Sequence, residues 1–281
     1  MSKVPDNRIT ILKDFDPDAT KDYVLYWVIN FKRTSYNFAL QRAVELANKL
    51  SKPLLIFEPL ILDYPMSSLR FHKFFLEGMK DVDGSISKTN AYYYPYVEET
   101  KNASEELLSQ LTAKAAAVVT DDYPTYFVPQ MTAKARGIVN TRYELVDANG
   151  LIPIRIAEKE YVRAHDFRRY MHKNLLDFLV DVPEENPLGD LEVKFDENII
   201  KDIEKKWNKI NFETFNQSDF LDNLNIDKTV KASPIVGGYN MAKKRLDYFL
   251  ENGYNDYATL RSHPSEDASS QLSPYLHAGH I

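Results

Sequence analysis

The feature that most constrains this 281-residue chain is an alternation repeated through its first half. Short, nearly all-apolar runs are separated by segments with apolar residues at every third or fourth position. Tyr23-Val24-Leu25-Tyr26-Trp27-Val28-Ile29 is the clearest run. It is apolar throughout, as a strand covered on both faces must be. Residues 35–50 then set Tyr36, Ala39, Leu40, Ala43, Leu46, Ala47 and Leu50 at helical spacing. The pattern continues with a strand at 53–57, a helix at 69–79 carrying Phe71, Phe74 and Phe75, and a strand at Tyr92-Tyr93-Tyr94. Asn102-Ala103-Ser104-Glu105 has capping-box spacing, with Asn in place of Ser or Thr, and opens a helix to Leu111. A strand at 115–119, a helix at 128–136 and a strand at 143–146 close the set. Alternation at this interval predicts an α/β domain: a Rossmann-like parallel sheet covered by helices on both faces.

Ligands of such sheets bind beyond the carboxyl ends of the strands, which points to residues 30–36, 58–66 and 120–125. Neither G-x-G-x-x-G nor a P-loop follows the first strand, so no dinucleotide or kinase phosphate loop is expected there. The chain has no cysteine, which excludes disulfides and thiolate metal sites and fits a cytoplasmic protein. Residues 1–22 are polar and mixed in charge; they read as an amino-terminal extension, not a signal peptide. The longest apolar run is far too short to span a membrane. A net charge of −6 argues against a nucleic-acid coat but leaves room for a local basic groove.

The composition changes after residue 180. Residues 183–190 are a Pro-, Glu- and Gly-bearing loop, and 181–235 read as an interdomain connection with amphipathic pieces around 199–207. Gly237-Gly238 opens a helix over 239–250, the start of a helical region at 236–281. The first domain is thus expected over 23–180.

The carboxyl end holds the densest chemistry. Ser269-Ser270-Gln271-Leu272-Ser273-Pro274 places Ser273 as an N-cap and Pro274 in the first helical turn. Such a start presents free N–H groups and a positive dipole end, which suit phosphate. Tyr257 and Arg261 come just before it, and with the serine hydroxyls they form a set able to hold a diphosphate. A capped helix with a surface arginine accounts for the same residues, and the residues alone leave both readings open. The chain stops about two turns into this helix, too short to be stable in water, so it reads as cut off inside a ligand-binding element.

Three further groups carry candidate chemistry. His277-x-x-His280 puts two imidazoles on one helical face, but no Cys or neighbouring carboxylate completes a zinc site, and no metal is expected. Arg163, His165, Arg168, Arg169, His172 and Lys173, interleaved with Tyr161, Phe167 and Tyr170, suit DNA phosphates; the solvated face of an amphipathic helix is the preferred reading. Asp121-Asp122 has the chemistry for Mg²⁺, but acidic pairs at strand ends are usually loop caps.

Tyr257-x-x-x-Arg261 followed by Ser269-Ser270-Gln271-Leu272-Ser273-Pro274-Tyr275-Leu276-His277-x-Gly279 resembles the FAD-binding signature of the DNA photolyase and cryptochrome family. Arg33-x-x-x-Asn37-x-Ala39-Leu40 and the stretch Leu145-Val146-Asp147-Ala148-Asn149-Gly150-Leu151-Ile152-Pro153 are similar to elements of that family, the latter to class II members and their bacterial relatives. The resemblance runs from about Tyr23 to the end of the chain. It implies that Tyr257, Ser269, Ser270, Leu272 and Ser273 contact FAD and that Arg261 lies near the flavin and a DNA-facing surface; Arg168 and Arg169 are DNA candidates from the basic cluster itself. Ser262 stands where the family usually has Asn or Asp, and Ala278 where class II relatives usually have Phe.

The resemblance further implies an antenna-type α/β domain, a linker and the first helices of an all-α FAD-binding domain. It implies a monomer that repairs cyclobutane pyrimidine dimers in UV-damaged DNA, or alternatively a cryptochrome-like photoreceptor without repair activity. An antenna chromophore, a deazaflavin or a folate, is a further possibility. No catalytic residue is expected within this chain, and Trp27 and Trp207 are not placed to serve the family's electron-transfer chain. The 281 residues alone are expected neither to hold FAD stably nor to repair DNA.

Overall fold

The computed structural model describes residues 3–281 except 63, 65, 158, 215 and 216. A six-stranded sheet is built from β1 (Ile9–Lys13), β2 (Tyr23–Trp27), β3 (Leu54–Leu60), β4 (Tyr92–Val97), β5 (Ala115–Asp121) and β6 (Arg142–Val146), in the order β1-β6-β5-β2-β3-β4. Strands β2 to β6 pair in parallel, with Leu25 beside Leu55 on one side and Val118 on the other. The helices between them are α1 (Phe38–Leu50), α2 (Leu69–Ile86), α3 (Ala103–Ala113) and α4 (Val128–Ala135). The expected α/β sheet is therefore the observed one. It is buried on both faces, and every residue of β2, β4 and β5 is buried. Each large apolar side chain removed from water there contributes about 1.5–3 kcal/mol.

Three local expectations are corrected. Residues 9–13, read as part of a polar extension, form edge strand β1, which pairs antiparallel with β6 and breaks the all-parallel pattern. Its side chains are only half-buried, so its apolar alternation is too weak to register as a strand. The capping box at Asn102 does not form: Asn102 sits at φ +65° without a side-chain cap bond. The Glu98 carboxylate instead accepts the Ser104 N–H at 3.3 Å. Third, α1 starts at Phe38, not near residue 35, because Asn37 is the N-cap. Its Oδ1 accepts the N–H groups of Ala39 and Leu40, while its Nδ2 donates to Tyr26 Oη and to the carbonyls of Phe31 and Arg33. The Arg33-x-x-x-Asn37 spacing is thus a helix start tied to β2.

After β6 come α5 (Ala164–Phe178), α6 (Lys201–Glu204), α7 (Gln217–Asn223), α8 (Tyr239–Asn252), α9 (Tyr257–Leu260) and α10 (Ser273–His277). The stretch read as a connection is pressed onto the sheet domain. Leu188 and Leu191 join the cluster under α1, and Phe195 stacks on Tyr92 at 4.9 Å. Ile210, Phe212, Leu221 and Leu224 pack with Leu76 and Met79 of α2. No described helix is long and apolar enough to cross a membrane.

Candidate functional site

A cleft opens where the topology predicts one, beyond the carboxyl ends of β2, β3 and β4 and beside the switch point between β2 and β5. It has two adjoining chambers, of about 610 and 300 Å³, which share Trp27, Pro59, Ile61, Tyr64, Phe127 and Met131. Volumes of this size suit a ligand of several fused rings. The walls are mainly aromatic and aliphatic, yet three buried polar groups in them have no partner among the described residues: Trp27 Nε1, Tyr64 Oη and Ser104 Oγ. An unpaired buried donor costs about 1–3 kcal/mol, so such groups mark a place where a ligand can supply the missing bond. Burial pushes the Tyr64 hydroxyl up to about 12, so it stays a donor at neutral pH. Sequence reading reached Tyr64, inside the 58–66 range, but neither Trp27 nor Ser104. The only signal the three share is a position at or after the ends of separate strands, which no local motif encodes. Within the expected 58–66 loop, Asp63 and Pro65 lie outside the described residues.

The loop after β2 that borders the cleft is held by Asp121. Its carboxylate accepts the N–H groups of Ile29, Asn30 and Phe31 at 2.9, 2.6 and 2.9 Å and the Tyr26 hydroxyl at 2.7 Å. Asp122 pairs with Arg155. The acidic pair is occupied as a loop cap and an ion pair, with its oxygens turned to protein donors.

The stretch beginning at Leu145 is organised by a buried cation. Arg8 donates to the carbonyls of Asp147, Gly150 and Leu151, and its guanidinium lies 4.3 Å over the Phe38 ring. Asp147 in turn accepts the N–H groups of Asn149 and Ile154, and Gly150 takes φ +58°. These residues build a turn; none of them faces the cleft.

The carboxyl-terminal residues sit on α9, α10 and the loop between. Tyr257 begins α9, edge-on to Phe249 at 5.6 Å and beneath the Arg261 guanidinium at 5.4 Å. Arg245 of α8 donates to the carbonyls of Ser270 and Ser269 at 2.9 and 3.1 Å, which orders the loop's backbone and leaves the Ser269 side chain exposed. Leu272 is buried against Phe74, Ala242 and Tyr275. The helix begins at Ser273 with Leu272 as its cap residue and no side-chain cap bond, so Ser273 is the first helical residue and not the cap. Its hydroxyl is therefore not spent on capping. His280 is buried and its Nδ1 accepts the Gly238 N–H at 3.0 Å, while His277 is exposed at the cleft. Arg168 and Arg169 are exposed on α5, which has no buried residue.

No protein-family model matches the chain. A deoxyribodipyrimidine photo-lyase from Methanothermobacter thermautotrophicus is 28% identical over 275 residues, covering 98% of this chain and 57% of that protein. In fold, the chain is similar to a bacterial class III photolyase from Agrobacterium tumefaciens, with a TM-score of 0.63 and 19% identity over 93% of this chain and 51% of the other. It is equally similar to an archaeal photolyase from Sulfolobus tokodaii solved with two FAD molecules, with a TM-score of 0.63 and 18% identity over 92% and 52%. The chain spans about half the length of the curated relatives it matches. Sheet order and the relatives point the same way: the chain is similar in sequence to deoxyribodipyrimidine photo-lyases and in fold to photolyases.

Proposed function

We propose that this chain is the amino-terminal portion of a light-dependent DNA repair enzyme that splits cyclobutane pyrimidine dimers. Residues 23–180 are its antenna-type domain, 181–235 its linker and 236–281 the first part of its flavin domain. The observation that carries the reading is the loop at 269–273, whose backbone is held by Arg245 while the side chains of Ser269 and Ser273 stay exposed. That arrangement fits a diphosphate: hydroxyls donate, Leu272 anchors the loop from below, and Tyr257 and Arg261 supply a ring and a cation alongside. Bound FAD, when reduced and excited by blue light, would supply the electron that opens the dimer. The protein's own part is to fix the cofactor and exclude water from it. Arg168, Arg169 and Arg261 would meet DNA phosphates, and a damaged base is the cheapest to flip from its stack.

The cleft beyond β2 and β3 is the place for an antenna chromophore. Its aromatic walls and three unpartnered donors suit a planar ligand with several acceptors, a deazaflavin or folate among them. The sulfolobal relative solved with two FAD molecules supports a second chromophore in this fold.

The test is a dimer-repair assay on the complete gene product, lit against dark, with its flavin spectrum recorded. Loss of thymine dimers only in light is expected. A yellow protein that leaves the dimers intact would overturn repair in favour of a photoreceptor; a colourless one indifferent to added FAD would overturn the flavin assignment. The 281-residue chain alone is expected to purify without stoichiometric FAD.

A further inference from the structure

The segment that carries the hydroxyl loop is fixed to the sheet domain at its last residues, Gly279, which ends the flavin motif, and His280, which lies beyond it. His280 is fully buried between Phe74 and Phe75 of α2, stacked on the first at 4.9 Å and edge-on to the second at 6.4 Å. Because its Nδ1 accepts the Gly238 N–H, the ring is neutral with its proton on Nε2. Nε2 has no partner among the described residues and faces Gly78, where a Cβ would stand 2.3 Å away. Two more glycines close the joint. A Cβ at Gly279, φ +68°, would meet the Asn30 carbonyl at 1.8 Å, and one at Gly237 the Phe74 carbonyl at 2.0 Å. Nearby, Tyr275 donates to the Val236 carbonyl and Glu77 accepts the Gly237 N–H. Burial, with Lys32 close by, pushes the imidazole down to about 3.

The joint lies between two places. On one side, His277 and Ala278 wall the smaller chamber of the cleft. On the other, α10 leads straight back to Leu272 and the serine loop. We propose that Gly279–His280 is a fastener that sets the hydroxyl loop in fixed relation to the cleft, with His280 as its positioning residue and Gly78 as its seat. This rests on the reading above that both places hold ligands.

The test is amide hydrogen exchange on the 281-residue protein, read without any ligand. A failed flavin titration would therefore strike the ligand assignment and leave this result standing. His280→Ala is expected to speed exchange at 269–276 roughly tenfold while β2, β3 and β5 keep their protection. His280→Asn, whose Oδ1 can accept the Gly238 N–H, should recover most of the loss. Gly78→Ala should reproduce the His280→Ala pattern although it alters no residue of the segment. Wild-type exchange at 269–276 in both His280→Ala and Gly78→Ala would overturn the proposal, as would an equal rise across the sheet. Should the variants fail to fold, imidazole NMR of the wild type decides. His280 is expected to show one neutral tautomer, protonated on Nε2, from pH 5 to 8. A His280 ring that becomes protonated between pH 8 and 5 would overturn the fastener.

Discussion

All five residues of β2 are buried; α5, three times as long, buries none of its 15. Helix α8 buries only Ala242 of its 14. The sheet half and the helical part thus solve different problems. In the first, every apolar run has a cover: α1 on one face, α3 and the stretch around Phe195 on the other. In the second, Leu176, Val180, Tyr248, Leu250 and Tyr254 remain exposed, and α5 is tethered mainly by Tyr161, Phe167 and Tyr170 and by the Tyr170 hydroxyl on the Ile156 carbonyl. Stability resides in one region, while the residues that carry the cofactor resemblance lie in the other. Loosely supported elements are where binding loops are usually found.

The sharpest way to break this contrast is a matched truncation. Leu25→Ala in β2 should lower stability by about 3–5 kcal/mol, whereas Leu250→Ala in α8 should change it by less than about 0.5 kcal/mol; urea midpoints measure both. Comparable losses would mean that α8 is as well supported as the sheet.

A second test uses charge. Burial pushes the Glu144 carboxyl up, but hydrogen bonds and charge from Arg42 and then Arg142 outweigh it, leaving it below the usual carboxylate range. A carboxyl lowered on folding stabilises above its unfolded pKa, and that contribution is lost as pH falls through the folded value. Glu144→Ala should cost about 2–3 kcal/mol at pH 7, by leaving Arg42 with Glu45 alone and Arg142 with Asp14 alone, and the gap should begin to narrow as pH falls below about 4.3, the ordinary glutamate value. A gap independent of pH would remove the ion pair from the account.

Legibility in the sequence follows the same division. The strands from β2 to β6 and helices α1 to α4 were readable because burial on both faces makes the periodicity nearly pure. Strand β1 was missed because only half of it is covered. The N-cap of α1 and the start of α10 were each misplaced, by three residues and by one, since several polar residues compete for those positions. The hydroxyl loop was visible as a motif. Trp27 and Ser104 were not, and Tyr64 only as part of the 58–66 range, because only the fold brings the three to one cleft. The His280 joint was equally hidden, since it depends on glycines about 40 and 200 residues away.

Smaller effects sharpen the edges. Gly150→Ala meets open space, so only its φ of +58° opposes the change, and a loss of about 1 kcal/mol is expected from thermal melts. Replacing Arg168 and Arg169 together by Ala should shift stability by less than about 0.5 kcal/mol. In the complete gene product the same change should reduce the salt slope of DNA binding by about one per arginine engaged. An unchanged slope would take α5 off the DNA-facing surface.

Limited trypsin digestion tests the contrast most directly. The first cuts should fall in 163–181 and 239–261, which hold Arg168, Arg169, Lys173, Lys243 and Lys244, and a fragment spanning β1 to β6 should persist. First cuts between residues 23 and 146, or simultaneous loss of both regions, would contradict a self-supporting sheet domain followed by sparsely buried helices.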